Sequence, residues 1–160
     1  MEENKETEIK NYARQQLIVF KLGNEEYALK IDQIKEIVLT PIVTKVPQTP
    51  SYVKGLANIR GNIIAILDLE EKFKVEGIQE KTGKYTLVVE SETFKIGLMV
   101  NQVPNTLTVT ENNIELAQDI VGDVSSQSNY IQGIVKIDNR LIILIDVYQL
   151  MKEKELQAIN

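Results

Sequence analysis

The sequence predicts a mainly β protein built from two similar barrel-like units and a short C-terminal α-helix. Three observations lead to this prediction. The 160 residues include 21 Ile and 15 Val but only 6 Ala, and branched side chains favour strands over helices. The apolar segments are short and bounded by turn residues, as strands are. The chain also resembles itself at a fixed spacing, which is how repeated structural units appear in a sequence.

The first predicted element is a β-hairpin near the N-terminus. Gln16–Leu22 is short and apolar, a Gly-Asn pair follows as a turn signal, and Tyr27–Ile31 supplies the second strand. Strict alternation along this second strand would bury Tyr27, Leu29 and Ile31 and expose Ala28 and Lys30.

Two further apolar runs, Asn62–Leu69 and Arg140–Val147, are bounded by turn residues and predict strands that are buried on both faces. Val147–Ile159 has apolar residues at helical spacing without Gly or Pro, and it predicts an amphipathic C-terminal helix over residues 147–159. Residues 1–14 are charged and lack periodicity, which predicts a flexible tail and leaves 15–160 as one domain.

An internal repeat organises this domain. Tyr52–Phe73 aligns without a gap with Tyr130–Met151, 78 positions later, and the five identities include a glycine and an aspartate. Tyr27–Ile34 aligns with Ile96–Val103 at an offset of 69. The change of offset predicts an insertion of about nine residues in the second unit, within Thr110–Asn129.

The repeat predicts two units at about residues 15–80 and 81–150, each with several short strands. A small sheet of this kind has two exposed edges that could pair with other chains. Closure of each sheet into a barrel removes those edges, so two small β-barrels are the expected architecture.

Composition excludes several classes of chemistry. The absence of Cys and His excludes disulfides, zinc fingers, thiol nucleophiles and Ser-His-Asp triads. The net charge of −5 without a basic block argues against duplex nucleic acid as a partner. The apolar runs are too short to span a bilayer, so we expect a cytoplasmic protein. Gly77–Tyr85 does not match a phosphate loop. It has five residues between its glycines where the motif has four, and a tyrosine where the motif has the Ser or Thr that holds magnesium.

Two repeat-related carboxylates, Asp68 and Asp146, have two interpretations. They form an acid/base pair or a metal site, or each caps the short helical turn that follows it. Their places in different units favour capping. We therefore predict no enzymatic activity, no cofactor and no metal site.

Binding residues are the remaining candidates. Arg60 precedes a buried strand and either forms a salt bridge to the other unit or serves as an anchor for a partner. The strand around Ile34, Ile37, Val38 and Leu39 is more apolar than one buried face requires. This excess predicts an exposed apolar patch of the kind that marks an interface.

One string stands out in the first unit: Tyr52–Gly61 (YVKGLANIRG), which runs into Ile63–Leu69. It is accompanied by Gln16–Tyr27, Ile34–Ile37, Pro47, Thr49-Pro50, Ile96–Val103 and Tyr130–Gly133. On these segments, and chiefly on the first string, the chain resembles the CheW family of chemotaxis coupling proteins over about Gln15–Leu150. The resemblance implies two five-stranded SH3-like β-barrels around a shared core. It also implies a non-enzymatic adaptor that works without a cofactor.

The partners implied by the resemblance are the cytoplasmic tip of methyl-accepting chemoreceptors and the regulatory domain of the chemotaxis histidine kinase, with which the adaptor would assemble in rings. The protein would be cytoplasmic and recruited to membrane-bound receptor arrays without inserting into the membrane. Two alternatives are an adaptor of a parallel pathway for pilus or gliding motility and a β-barrel nucleic-acid-binding module. The second needs a basic groove with stacking aromatics, which a chain with negative net charge and no Trp does not favour.

The resemblance also implies two sets of contact residues. The receptor tip would dock in a groove between the barrels, near Ile34, Glu36, Arg60 and Gly61, with Val100 on the facing unit. Kinase contacts would lie at the outer ends of both barrels, near Ile42, Val43, Ile114, Leu116 and Ile120. The second set departs from the family pattern by the acidic residues Glu115 and Asp119.

Overall fold

The described residues form eleven strands in two sheets and three short α-helices. The structure is a computed structural model that describes residues 14–75, 81–121 and 130–152. The side chains of Ile120 and Val121 are outside this description. The strands are β1 (Gln15–Leu22), β2 (Glu25–Lys30), β3 (Ile34–Leu39), β4 (Val53–Ile59), β5 (Asn62–Asp68), β6 (Tyr85–Glu90), β7 (Lys95–Val100), β8 (Asn105–Val109), β9 (Ile114–Leu116), β10 (Ile131–Ile137) and β11 (Arg140–Ile145). The helices are α1 (Leu69–Phe73), α2 (Ala117–Val121) and α3 (Val147–Leu150). The predicted mainly β class is confirmed.

One sheet, which we call the first barrel, has the strand order β8-β1-β2-β11-β10-β9. Its two outermost strands, β8 and β9, follow one another along the chain and are separated by a 3-10 turn at Glu111–Asn113. Because the chain passes directly from one edge of the sheet to the other, the sheet curls onto itself and leaves little free edge.

The other sheet, the second barrel, has the order β3-β6-β7-β5-β4. The chain beyond β3 closes it through a bridge between Thr44 and Leu56. The amide of Thr44 donates to the carbonyl of Leu56 over 2.7 Å, and the amide of Leu56 donates to the carbonyl of Thr44 over 2.8 Å. The two predicted barrels are therefore present, but only the second has the implied five strands in its sheet, because the short strand β9 gives the first a sixth.

The predicted division into barrels at residues 15–80 and 81–150 is wrong, because the two repeats exchange their first hairpins. The β1–β2 hairpin lies in the first barrel with β8–β11, while β6–β7 lies in the second with β3–β5. Parallel pairing joins the exchanged strands, with Tyr27 opposite Ile143 and Ile66 opposite Gly97. The repeat pattern determines which faces of a strand are apolar. It does not determine which sheet receives the strand.

Three apolar clusters fill the described part of the molecule: the interior of each barrel and a larger core between them. Strand β1 contributes to two of them, since Leu17 and Val19 face the first barrel's interior while Ile18 and Phe20 face the core between the barrels. A strand with apolar surroundings on both faces needs a continuous apolar run. The shared core implied by the family resemblance is thus present.

The burial predicted for β2 is also partly wrong, because the hairpin exchange gives this strand apolar neighbours on both faces. Ala28 is fully buried in the first barrel's interior, and Leu29 is fully buried in the core between the barrels. Ile31, predicted to face inward, is exposed. Alternation fails here because β2 has apolar layers on both sides.

The repeated glycine is Gly55 on β4 and Gly133 on β10. Each lies against the segment that closes its barrel, which contains Thr44 in the second barrel and is β9 in the first. Gly55 has a φ of +146°, and a Cβ added to it would lie 2.1 Å from the carbonyl oxygen of Thr44. A Cβ on Gly133 would lie 2.5 Å from the carbonyl oxygen of Glu115. Both distances are far below van der Waals contact, so barrel closure requires glycine at both positions.

The repeated aspartates cap helices, as the capping interpretation predicted. Asp68 Oδ1 accepts from the amides of Glu70 and Glu71 over 3.0 and 3.3 Å at the start of α1. Asp146 Oδ1 accepts in the same way from the first amides of α3. Helix α3 begins at the predicted residue, Val147, but ends at Leu150, well short of 159. Residues 153–159 of that prediction, and 1–13 of the predicted tail, lie outside the described residues.

We expect Asp68→Ala to lower the free energy of unfolding by about 2 kcal/mol, since the buried cap is lost and two amides lose their acceptor. Asp68→Asn keeps an acceptor oxygen and is the matched control, with a smaller expected loss. Urea denaturation followed by circular dichroism measures both. Equal losses would mean that the charge of Asp68 towards Lys54 and Lys81, 3.6 and 3.7 Å away, matters more than the cap.

Candidate binding surfaces

Arg60 and Gly61 form the two-residue turn between β4 and β5. Their φ angles are +53° and +86°, the combination that suits a tight hairpin of right-handed twist. The side chain of Asn58 supports the turn, because its Oδ1 accepts from the amide of Gly61 over 2.9 Å. A Cβ on Gly61 would meet nothing within 4 Å, so this turn projects into open space.

The turn carries Arg60 towards the neighbouring edge of the same barrel. Arg60 Nε donates to both carboxylate oxygens of Glu36 on β3, over 2.8 and 3.1 Å. The Arg60 side chain nevertheless stays 74% exposed. The predicted salt bridge therefore exists within one barrel instead of between units, and an exposed pair of this kind contributes little to stability. Its charge remains available at the surface.

The other two residues of the implied receptor set face inward. Ile34 is half-buried against the core between the barrels. Val100 belongs to that core and is only 2% exposed. It also lies on β7, in the same barrel as Glu36 and Arg60. The prediction that Val100 offers a contact on the facing unit is therefore wrong, because the hairpin exchange moves β7 into the second barrel.

The implied kinase set divides between the barrels. Ile42 is 90% exposed beside β3, and Val43 is half-buried against the interior of the second barrel. Ile114 and Leu116 lie on β9 of the first barrel, where Leu116 is exposed. Ile120 lies in α2, and its side chain is outside the described part of the structure. The two halves of this set thus occupy separate barrels.

An apolar patch extends along β3, as predicted. Its outward residues are Ile37 and Leu39, the latter 65% exposed, and Ile42 continues the patch beyond the strand. Ile34 and Val38 point to the other side of β3 and are half-buried. Contiguous apolar side chains at a surface are typical of protein interaction sites.

Sequence reasoning missed a second pair of exposed apolar residues. Ile63 and Leu141 are repeat mates near the beginning of β5 and β11, and both are largely exposed. Each begins a continuous apolar run, which predicts burial on both faces. Their closeness to the preceding turn was the available signal, since a strand emerging from a hairpin turn is exposed before it enters the core.

A shallow cavity of about 300 Å³ lies beside Ile114 and Leu116 on the first barrel. Its other lining residues are Gln15, Lys30, Glu111, Gln132 and Leu144. The neighbouring Glu115 forms an ion pair with Lys136 on β10, so the acidic departure from the family pattern is balanced within the same sheet. The cavity is at the lower limit of small-molecule sites and suits one or two side chains of a partner.

Charges flank the patch on β3. Lys35 Nζ contacts Glu90 at 2.8 Å, and Lys95 contacts it at 3.8 Å. The hydrogen bond from Lys35 lowers the pKa of the Glu90 carboxyl and raises that of Lys35. Both groups therefore remain charged around neutral pH, and the patch is bordered by fixed charges.

None of the helices in the described ranges has the length and apolar character that crossing a bilayer requires.

Two fused barrels, each with exposed apolar side chains and with its repeated carboxylate used as a helix cap, are typical of a protein-binding domain. The CheW-like domain family matches residues 16–155 of the chain. The chain belongs to this family.

Known proteins with similar sequences agree. The "Chemotaxis protein CheW" of Klebsiella aerogenes is 30% identical over 146 residues, covering 91% of this chain and 87% of that protein. The "Probable chemotaxis protein CheW" of Rhizobium etli is 32% identical over 149 residues, covering 92% of this chain and 94% of that protein. The crystal structure of the scaffolding protein TtCheW from Thermoanaerobacter tengcongensis has a TM-score of 0.75 and 30% identity, covering 88% of this chain and 90% of that one.

Proposed function

We propose that this protein is a non-catalytic adaptor of chemotaxis signalling that couples chemoreceptors to the chemotaxis histidine kinase. The observation that carries the proposal is the family match across residues 16–155, together with relatives named as chemotaxis proteins along nine-tenths of the chain. A scaffold must hold at least two partners at once. The exposed apolar residues on separate barrels, Ile42 on one and Leu116 on the other, suit that requirement.

The proposed receptor site is the surface around the Arg60–Glu36 pair, with Gly61 at the turn and Ile34 beneath. The pair supports this assignment because its guanidinium is exposed while its geometry is fixed by two hydrogen bonds. Arginine held in this way is typical of interface anchors. The cytoplasmic tip of a methyl-accepting receptor would dock here.

The proposed kinase contacts are at the outer surfaces of the two barrels, in two groups: Ile42 with Val43, and Ile114 with Leu116 and Ile120. The regulatory domain of the kinase would bind them, each through a modest interface of about 800 Å² or less per partner. In a ring, each adaptor would contact a neighbouring kinase domain through each group, so that the two partners alternate in a one-to-one ratio. The protein would then act in the cytoplasm, at membrane-bound receptor arrays.

Calorimetric titration of the purified chain with the regulatory domain of its own organism's kinase, followed by a receptor hairpin, tests the proposal. We expect saturable one-to-one binding and entry of the receptor into a ternary complex. A folded chain that binds neither partner would overturn the proposal in favour of the pilus or gliding pathway.

Arg60→Glu is expected to weaken receptor binding at least about tenfold, because it places two carboxylates together where the receptor meets a cation. Unfolding free energy should change by less than about 1 kcal/mol, since the pair is exposed. Binding of the receptor hairpin and urea denaturation measure the two effects.

The double variant Arg60→Glu with Glu36→Lys is the matched control, because it restores an ion pair with the charges exchanged. If the receptor requires the positive charge at residue 60, the double variant should bind the receptor hairpin as weakly as Arg60→Glu does. Recovery of wild-type affinity would mean that the pair only shapes the turn, and would remove Arg60 from the proposed contacts.

A further inference from the structure

A buried carboxylate joins the two barrels at one end of their contact. Glu70, in α1, is 5% exposed. Its Oε2 accepts from the amide of Gly23 over 2.6 Å, and its Oε1 accepts from Asn101 Nδ2 over 2.9 Å. Gly23 is in the β1–β2 turn of the first barrel, whereas α1 follows β5 of the second. One side chain therefore connects both barrels.

Asn101 extends this connection. It follows β7 directly, at the start of the link that carries the chain from the second barrel to β8 in the first. While its Nδ2 donates to Glu70, its Oδ1 accepts from the amide of Gly83 over 2.8 Å. The amide cannot be reversed without losing both bonds, so the positions of donor and acceptor are fixed. A partly buried network around a buried carboxylate, in which each side-chain oxygen accepts a hydrogen bond, favours one geometry over others.

The repeat-related position at the other end is built differently. Tyr148 of α3 aligns with Glu70, and its hydroxyl donates to the Glu90 carbonyl, at the end of β6, over 3.4 Å in an exposed position. A cavity of about 540 Å³ opens beside it, lined by Ser91, Glu92, Thr93, Phe94, Tyr148, Met151 and Lys152. The contact between the barrels is therefore fixed by a buried carboxylate at one end and held by a long, exposed bond at the other.

We propose that Glu70 is a positioning residue that sets the orientation of one barrel relative to the other, and thereby the spacing of the partner surfaces on them. The inference rests on the proposed adaptor function, because it assigns to Glu70 the coupling between partners bound to different barrels. Glu70 acts through Gly23 and Asn101 and contacts neither partner surface.

The paired substitutions Glu70→Gln and Asn101→Asp test the proposal. In Glu70→Gln, the amino group of the introduced glutamine opposes one of the two donors. In Asn101→Asp, two carboxylates face each other. The double variant restores the network with one bond reversed. The introduced glutamine donates to the introduced aspartate and accepts from Gly23 through its oxygen, while the aspartate still accepts from Gly83. Tyr148→Phe is the control, since it removes the exposed bond at the other end.

Residual dipolar couplings measure the orientation of the barrels, and the Gly23 amide shift reports the bond to residue 70. Each single variant should change the orientation and the Gly23 shift, and the double variant should return both to wild-type values, while Tyr148→Phe leaves them unchanged. Unchanged orientation in Glu70→Gln would overturn the proposal. If the single variants do not fold, a folded double variant with wild-type orientation supports it, and an unfolded double variant overturns it.

The second measurement is the ratio of receptor-hairpin affinities with and without the kinase regulatory domain. Each single variant should reduce this ratio about three- to tenfold, with recovery in the double variant. A ratio that stays at the wild-type value in the single variants would overturn the coupling role. A wild-type chain that binds neither partner would instead defeat the adaptor function, and the orientation measurement would still decide the role of Glu70.

Discussion

Gly55→Ala is expected to lower the free energy of unfolding by at least about 3 kcal/mol. The added Cβ would lie 2.1 Å from a backbone oxygen of Thr44, and backbone atoms do not move aside as a flexible side chain does. The segment that closes the second barrel would have to shift, and the two hydrogen bonds between Thr44 and Leu56 would be lost. Thermal and urea denaturation measure the loss.

Gly61→Ala is the control, because it also places alanine at a positive φ but in open space. Its expected cost is about 1 kcal/mol, from backbone conformation alone. Equal losses in the two variants would show that φ, and not the contact with Thr44, makes glycine necessary at residue 55.

Separation of the chain into fragments 1–80 and 81–160 is expected to abolish folding of both. Each fragment contains one hairpin whose sheet lies in the other fragment, since β1–β2 pairs with β8 and β11, and β6–β7 pairs with β3 and β5. Each would therefore expose apolar faces that the whole chain buries. Circular dichroism should show little strand structure in either fragment alone and its return on mixing.

A break between residues 100 and 105 is the comparison, because it leaves β3–β7 of the second barrel in one fragment. This longer N-terminal fragment should retain more strand structure than 1–80. Independent folding of both 1–80 and 81–160 would contradict the exchanged topology and favour two sequential barrels.

The sequence predicted the local features of the fold well. The aligned segments form equivalent hairpins, and the repeated aspartates form equivalent helix caps. These features depend on residues close in sequence: a turn residue with its neighbours, or a side chain and the amides two and three positions later. Such interactions leave a direct trace in the order of residues.

Errors arise where a residue's surroundings come from distant parts of the chain. Alternation predicts Ala28 outside because it assumes one buried face, but β2 lies between the first barrel's interior and the core shared by both barrels. The contact predicted for Val100 on the facing unit fails because its strand lies in the same barrel as Glu36 and Arg60, and its side chain faces the core between the barrels. The sequence also did not predict that Arg60 pairs with Glu36. Glu36 is on β3 and Arg60 follows β4, and these opposite edges of the sheet meet only when it closes.

The exchanged hairpins impose an order on events during synthesis at the ribosome. The second barrel is complete in sequence once Val100 has emerged, whereas β1 and β2 must wait for β11, which ends at Ile145. At ordinary translation rates of about 5–20 residues per second, the interval is roughly 2–9 s. During this time the first hairpin, with apolar residues on both faces, has no completed sheet to join. The part of the nascent chain most prone to aggregation is therefore its N-terminal hairpin, β1–β2.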